Sequence, residues 1–426
     1  MMQTVFGMDP IVFWIIVTVA LVNVTGALLG TFLVLRRMSL LGDAISHAVL
    51  PGLALAFMLS GTREPLPMLI GAMAAGLLTA LLTHLIHRYA NVPEDAAMGV
   101  VFTSLFALGV VMITRVASQV DLDPGCVLYG VLESAALDTR PLFGIEVPRV
   151  AVTLAVTFVV TAAFVAALWK ELKIVSFDPH LATTLGINAD RVHYLLMAMV
   201  AAFTVAAFEA VGSILVVAML IAPAATAFLL TDRLHWMALI ACATGILTAI
   251  LGRNIAAVFD APVAGMASVV AGGLFLLAVL FAPRYGIVAR KLAHLRLGLR
   301  ISGEDLLGLA YRWQERGTGA PLSARGALEA AGGGAGSRLA LWLLRRAGLL
   351  AKSGRGLRLT ASGLERASKL VHRHRLWEAY LARHLPLPDD HLHSPADRME
   401  HFMDSDLQRQ VEEQVPEPHG PSGAPR

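Results

Sequence analysis

Apolar residues run in nine long blocks through the first two-thirds of the chain, at about 11–35, 40–60, 66–88, 96–114, 148–169, 192–209, 212–231, 235–252 and 262–283. A helix needs roughly 20 such residues to cross the hydrocarbon core of a bilayer. Backbone N–H and C=O groups find no water there, so each block must bond internally and form a helix. Pro51 and Pro223 fall inside two of the blocks; each removes a backbone donor and predicts a kink. The polar break around Glu209 is short, so the sixth and seventh blocks admit a different division. The expectation is eight to nine transmembrane helices.

After residue 284 the pattern changes. Residues 285–300 alternate basic and apolar positions, which predicts a juxtamembrane helix against anionic headgroups. Helical periodicity follows at 304–316, 322–331 and 338–347. Gly354 to Thr360 reads as a hairpin turn between basic strands, and 361–385 as a long helix. Three helices, a hairpin and a helix make the order of a winged helix-turn-helix. Residues 416–426 are rich in Pro and Gly and predict disorder. The fold class expected is an all-α polytopic membrane protein with a cytoplasmic winged helix-turn-helix and a helical metal-binding and dimerisation domain. The divisions fall at 1–285, 286–300, 301–412 and 413–426.

Charge sharpens this division. Only 15% of the 426 residues are charged, against about 25% in soluble domains. Residues 1–284 hold 13 Lys/Arg and 16 Asp/Glu, while the last 142 hold 21 and 15. A single soluble domain, a disordered chain and a disulfide scaffold are excluded. The two cysteines, Cys126 and Cys242, have no CxxC partner, which leaves neither a disulfide framework nor a thiolate zinc site. No basic segment precedes the first apolar block, and Arg36-Arg37 follows it; it reads as a span rather than a cleavable signal. With alternating spans, Arg36, Arg37, Arg88, Lys170, Lys173, Arg233, Arg284, Arg290 and Lys291 fall on one side. The excess of basic residues makes that side cytoplasmic, the N-terminus external and the tail internal.

Ionisable groups at membrane depth are costly and point to function. Asp43 and His47 open the second block four residues apart, on one helix face. A carboxylate with an imidazole suits a divalent transition ion; the same spacing also suits a structural Asp–His hydrogen bond. Glu209 is either a third ligand or gate, or a helix-end carboxylate at the headgroups.

The stretch Arg36-Arg-Met-Ser-Leu-Leu-Gly-Asp43-Ala-Ile-Ser-His47-Ala-Val-Leu-Pro51-Gly resembles the signature of permease subunits of bacterial ABC importers for zinc, manganese and iron(II). The blocks starting at Glu94, Val120 and Ala210 agree, and the likeness covers nearly all of 10–285. It implies a helical permease that moves a divalent metal inward and works as a dimer; Asp43, His47 and Glu209 are the residues expected on its ion pathway. An ATPase subunit, an extracytoplasmic metal-binding protein and a second permease copy are the implied partners. Val175-Ser-Phe177-Asp178-Pro179 through Gly186 resembles the family's cytoplasmic coupling helix. Asp178 is placed to cap a helix that Pro179 starts and Gly186 ends. The chain has no GxxxxGK[ST] phosphate loop, so ATP hydrolysis is expected on a separate subunit and this chain is expected to be no enzyme.

The tail carries a second resemblance. Leu359 to Ala367, His372 to Glu378, and His391 to His401 are similar to the diphtheria-toxin-repressor family of metal-dependent regulators. That implies a regulatory metal at Asp305, His374, Asp397, Glu400 and His401, and an ancillary site at Glu378 and His393. Asp397, Glu400 and His401 are spaced for one helix face, as are His374 and Glu378. Carboxylates and imidazoles without thiolate favour manganese or iron(II) over copper. Gly308 stands where manganese-type members often have a carboxylate, which thins the site. DNA binding is not expected: the helix from Arg338 to Arg346 is apolar on most faces, although Lys352, Arg355 and Arg358 of the wing suit phosphates or headgroups.

The function expected is import of a divalent transition metal, manganese before zinc or iron(II), with a cytoplasmic metal-sensing domain. The rivals are a membrane-tethered metal-dependent transcription regulator and a secondary transporter needing no ATPase.

Overall fold

The computed structural model describes residues 9–38, 40–61, 65–117, 132–142, 145–317, 321–354, 356–385, 388 and 391–415. The chain divides into two compact units, Met1–Ala289 and Arg290–Arg426.

The first unit is helical. Its long elements are α1 (Pro10–Leu35), α2 (Leu41–Ser60), α3 (Pro65–Ala90) and α4 (Glu94–Ala117). A short helix, α5 (Leu132–Ala135), and an antiparallel hairpin of β1 (Thr139–Leu142) and β2 (Ile145–Pro148) follow. Then come α6 (Arg149–Ala167), α7 (Trp169–Phe177), α8 (Pro179–Thr184), α9 (Ala189–Val211), α10 (Ser213–Leu230), α11 (Leu234–Phe259) and α12 (Val263–Phe281). Every predicted apolar block falls on one of these helices. Among the described residues eight helices are long and apolar enough to span a bilayer, and the apolar stretch of α10, Leu215–Leu230, is shorter. Pro51 and Pro223 sit inside α2 and α10.

Helix α1 runs through the middle of this unit. Val19, Val22, Leu29, Phe32 and Leu33 are fully buried, and the helix packs against α6, α10 and α11. Helix α9 contributes Leu196, Val200 and Phe203 to the same core. Helix α2 lies between α3 and α4. It meets α3 at Gly52 and Gly71, where a Cβ on either residue would run into the backbone carbonyl of the other. Small residues of this kind let spanning helices approach closely, where dispersion replaces the hydrophobic effect.

The second unit includes most of α13 (Ile287–Glu315), then β3 (Leu322–Ser323), α14 (Ala324–Ala330), α15 (Ala335–Arg346), β4 (Leu350–Ser353), β5 (Gly356–Leu359) and α16 (Ala361–His384). It closes with α17 (His393–Met399), a 3₁₀ turn (Glu400–Phe402) and α18 (Ser405–Gln414). The strand order β3-β5-β4 is the small sheet of a winged helix-turn-helix. Two local differences from the sequence expectation appear. The juxtamembrane segment and the helix expected at 304–316 form one continuous helix; the Arg300–Glu304 ion pair one turn apart spans the expected break. The helix expected from Leu322 starts two residues later, because Leu322 and Ser323 pair with β5 while Ser323 caps α14. Residues 416–426 and the Val120–Asp123 block lie outside the described residues.

Candidate functional site

Asp43 stands in the first turn of α2, and His47 one turn later. His47 Nε2 lies 3.4 Å from Asp43 Oδ1. The imidazole is framed by two rings of α4, stacked on Phe102 at 6.1 Å and edge-on to Phe106 at 5.7 Å between centroids. This pair is not in the core of the protomer: the side chains keep 41% and 29% of their accessibility. A carboxylate and an imidazole held side by side, with an open face, can exchange a divalent ion without a closed cage. Glu209 stands near the end of α9, two residues before Val211; its side chain lies outside the described ones.

The predicted coupling segment is a helix with both ends built as its sequence dictates. Asp178 Oδ1 accepts from the backbone N–H groups of His180 at 3.0 Å and Leu181 at 2.9 Å. Pro179 occupies the first helical position, where a missing N–H costs nothing. Gly186 takes φ +81°, and Ile187 N–H donates back to Ala182 O at 2.9 Å, the usual left-handed helix stop. Phe177, Leu181 and Leu185 are all exposed. Leu181 and Leu185 lie one turn apart, while Phe177 closes α7 ahead of the extended Asp178.

Beside α8 lies a cavity of about 440 Å³ lined by Arg36, Arg37, His84, His87, Asp190 and His193, among others. The His84 and His193 rings are 5.0 Å apart. Arg36 Nε donates to Ser176 Oγ at 3.0 Å, and Arg88 pairs with Asp190 at 2.7 Å. Sequence reasoning missed this cluster. Its signal was three histidines and one arginine pair bordering apolar blocks, but the lining comes from five separate helices.

In the tail the structure brings some expected ligands together. His401 Nε2 lies 3.1 Å from Asp305 Oδ1, and His401 Nδ1 lies 2.8 Å from Glu304 Oε2. Glu304 was not singled out in the sequence. Burial pushes its carboxyl up, but hydrogen bonds from His401 and Arg300 outweigh that and hold it below the usual carboxylate range. His374 is buried on α16 and meets Glu378 at 3.0 Å. Asp397 is half-exposed and 4.0 Å from Arg312. The expected single face of Asp397, Glu400 and His401 is interrupted, because α17 ends at Met399 and the next turn is 3₁₀. The side chains of Glu400 and His393 lie outside the described ones.

Oxygen and imidazole donors without thiolate fit a divalent first-row ion. Among the described residues, however, no three His, Cys, Asp or Glu side chains are grouped to hold one. The two carboxylates at His401 sit on opposite ring nitrogens, so they clamp the ring rather than converge on a point.

Comparison with known proteins matches the two ends of the chain to different families. A model of the ABC 3 transport family matches residues 8–282. A model of the iron dependent repressor metal binding and dimerisation domain matches residues 360–425. The manganese transport system membrane protein MntD of Bacillus subtilis is 43% identical over 285 residues, covering 67% of this chain and 96% of the relative. The zinc transport system membrane protein TroD of Treponema pallidum is 36% identical over 296 residues, covering 70% and 80%. The solved structure of PsaBC from Streptococcus pneumoniae in complex with Fab is 32% identical with a TM-score of 0.55, covering 66% of this chain and 94% of that one.

Proposed function

This chain belongs to the ABC 3 transport family, and on that premise we propose that it is the membrane permease subunit of an importer for a divalent transition metal, manganese first. It is a multi-pass inner-membrane protein. The observation that carries the reading is the Asp43–His47 pair, side by side on α2 and open on one face. Manganese is favoured by the substrate named for the MntD relative and by the thiol-free donors; zinc, named for TroD, is the alternative.

The ion is the substrate. Asp43 supplies a hard oxygen and His47 a borderline nitrogen, a set that binds manganese or zinc yet releases it. Phe102 and Phe106 fix the imidazole, so capture needs little side-chain ordering. A second permease copy supplies the other wall of the pathway, and an extracytoplasmic binding protein delivers the ion. Helix α8 meets the ATPase on the cytoplasmic side, with Phe177, Leu181 and Leu185 entering an apolar groove. ATP hydrolysis belongs to that subunit; its binding step moves α8 and reorients the bundle.

The tail is a cytoplasmic metal sensor that slows import. Asp305, His374, Asp397, Glu400 and His401 would hold the regulatory ion, with Glu378 and His393 beside them. An ion held by these residues would link α13, α16 and α17 and so make their packing metal-dependent. The decisive experiment is radiolabelled manganese uptake into vesicles carrying this chain and its ATPase, with full-length protein compared with a truncation at residue 300. Uptake should need ATP in both, and only the full-length protein should slow as internal manganese rises. ATP-independent uptake would overturn the permease reading, and identical shut-off would overturn the sensor.

A further inference from the structure

In a winged helix-turn-helix the helix in the position of α15 reads DNA, with Arg, Lys, Asn or Gln at the centre of its exposed face. Here Leu339, Trp342 and Leu343 occupy that face, 46%, 52% and 41% exposed. Arg338, Arg345 and Arg346 flank them, also exposed, and the Arg346 guanidinium lies 5.2 Å above the Trp342 ring. The helix contains no acidic residue. Exposed Lys352 and Arg358 on the adjoining wing add to the same charge.

The neighbouring surface has the same make-up. A groove of about 360 Å³ between α13 and α15 is lined by Leu299, Leu343 and Leu344 together with Arg296, Arg300 and Arg366. Glu304 also lines it and is paired with Arg300. The N-terminal turns of α13 continue the pattern, with Leu292 and Leu295 exposed between Arg290, Lys291 and Arg296.

We propose that the α15 face and its groove dock on the anionic surface of the bilayer in which the same chain is embedded. Three observations converge on this occupant. Tryptophan and leucine ringed by arginine is the composition of interfacial helices, whose apolar side chains enter the acyl boundary while cations meet lipid phosphates. Apart from Glu304, which Arg300 neutralises, the charge is of one sign, complementary to anionic headgroups. The attachment is direct: residues 282–286 lead from α12 into α13, and α13 itself carries Leu299 and Arg300 of the groove. A weak interfacial affinity therefore acts at high effective concentration. The fold of a DNA reader is thus turned to reading lipid.

The test uses full-length protein in nanodiscs of phosphatidylcholine, with or without phosphatidylglycerol. Cys126 and Cys242 are replaced, and a nitroxide is attached at Leu339→Cys or, as a control on α14, Arg325→Cys. In anionic discs the label at 339 should gain oxygen accessibility over nickel-chelate accessibility severalfold, and the label at 325 should not. Arg338→Gln/Arg345→Gln/Arg346→Gln should return position 339 to its value in neutral discs. Equal water accessibility of both labels in both discs overturns the proposal. So does dipolar broadening at 339 that disappears on spin dilution, which would place a second copy there, or immobilisation of the label only when duplex DNA is added.

Discussion

His47 Nε2 sits 3.4 Å from Asp43 Oδ1, one helical turn apart on α2, with Phe102 and Phe106 holding the imidazole. On the proposed pathway the two groups bind the ion jointly. Asp43→Asn and His47→Ala should each lower manganese uptake on the order of tenfold or more, at least the loss produced by removing a metal site's outer-shell partner. Asp43→Glu should retain part of it. Uptake in reconstituted vesicles with ATPase content held equal checks this; wild-type rates in either null variant would remove the pair from the pathway.

The Asp178 cap holds two backbone donors of α8. Asp178→Ala should cost the helix end about 1 kcal/mol and loosen the contact with the ATPase. Phe177→Ser should weaken the contact without touching the cap. Both are expected to reduce the ATPase that co-purifies with the permease while thermal stability of the isolated chain changes little. Undiminished co-purification of Phe177→Ser would place the contact elsewhere.

Gly52 and Gly71 approach so closely that neither has room for a side chain. Gly52→Val should push α2 from α3 and destabilise the unit by about 1–3 kcal/mol, the usual cost of overpacking. Gly99, with nothing near its missing Cβ, is the control: Gly99→Ala should be neutral. Melting of the detergent-solubilised protein, followed by near-ultraviolet circular dichroism, distinguishes the two.

Asp232, between α10 and α11, accepts from the Tyr285 hydroxyl at 2.8 Å and pairs with Arg284. The Tyr285 bond first, and Arg284 after it, hold the carboxyl below its ordinary 3.8, while Asp232 raises the Tyr285 phenol above its ordinary 10.0. A depressed acid stabilises above its unfolded value and loses that contribution as pH falls through the folded one. A raised phenol stabilises below its unfolded value and loses that as pH rises through the folded one. The tie should therefore be intact from about pH 4 to pH 10. Asp232→Asn should speed amide exchange around 283–287 at neutral pH; exchange matching the wild type would show the tie contributes nothing.

His401 is clamped between Glu304 and Asp305. His401→Ala leaves the two carboxylates facing each other without the ring and removes a proposed ligand. The variant should lose manganese-dependent slowing of uptake, yet keep basal ATP-driven uptake within about twofold, since a buried-pair loss of this kind acts on its own domain. Full metal shut-off in His401→Ala would exclude this residue from sensing.

The spanning helices were legible because membrane insertion demands about 20 apolar residues in a row, a requirement written directly in composition. Helix α8 was legible because Asp178, Pro179 and Gly186 act on their own backbone. The sequence was less informative where partners are distant. Glu304 meets His401 across 97 positions, and nothing local marks it above its neighbour Asp305. The cavity with His84 and His193 draws on five helices. The strand at Leu322 is two residues long and exists only through its pairing with β5. The face of α15 is apolar in sequence, but only the structure turns Leu339, Trp342 and Leu343 outward.

The bond from Arg36 to Ser176 spans 140 positions and joins the exit of α1 to the residue just ahead of Phe177. Four residues beyond Arg37 the polypeptide enters α2. On the proposed reading, a displacement of α8 is passed to the chain entering α2 through this guanidinium–hydroxyl bond and through the packing of Phe32 on Trp169, which ties α1 to α7.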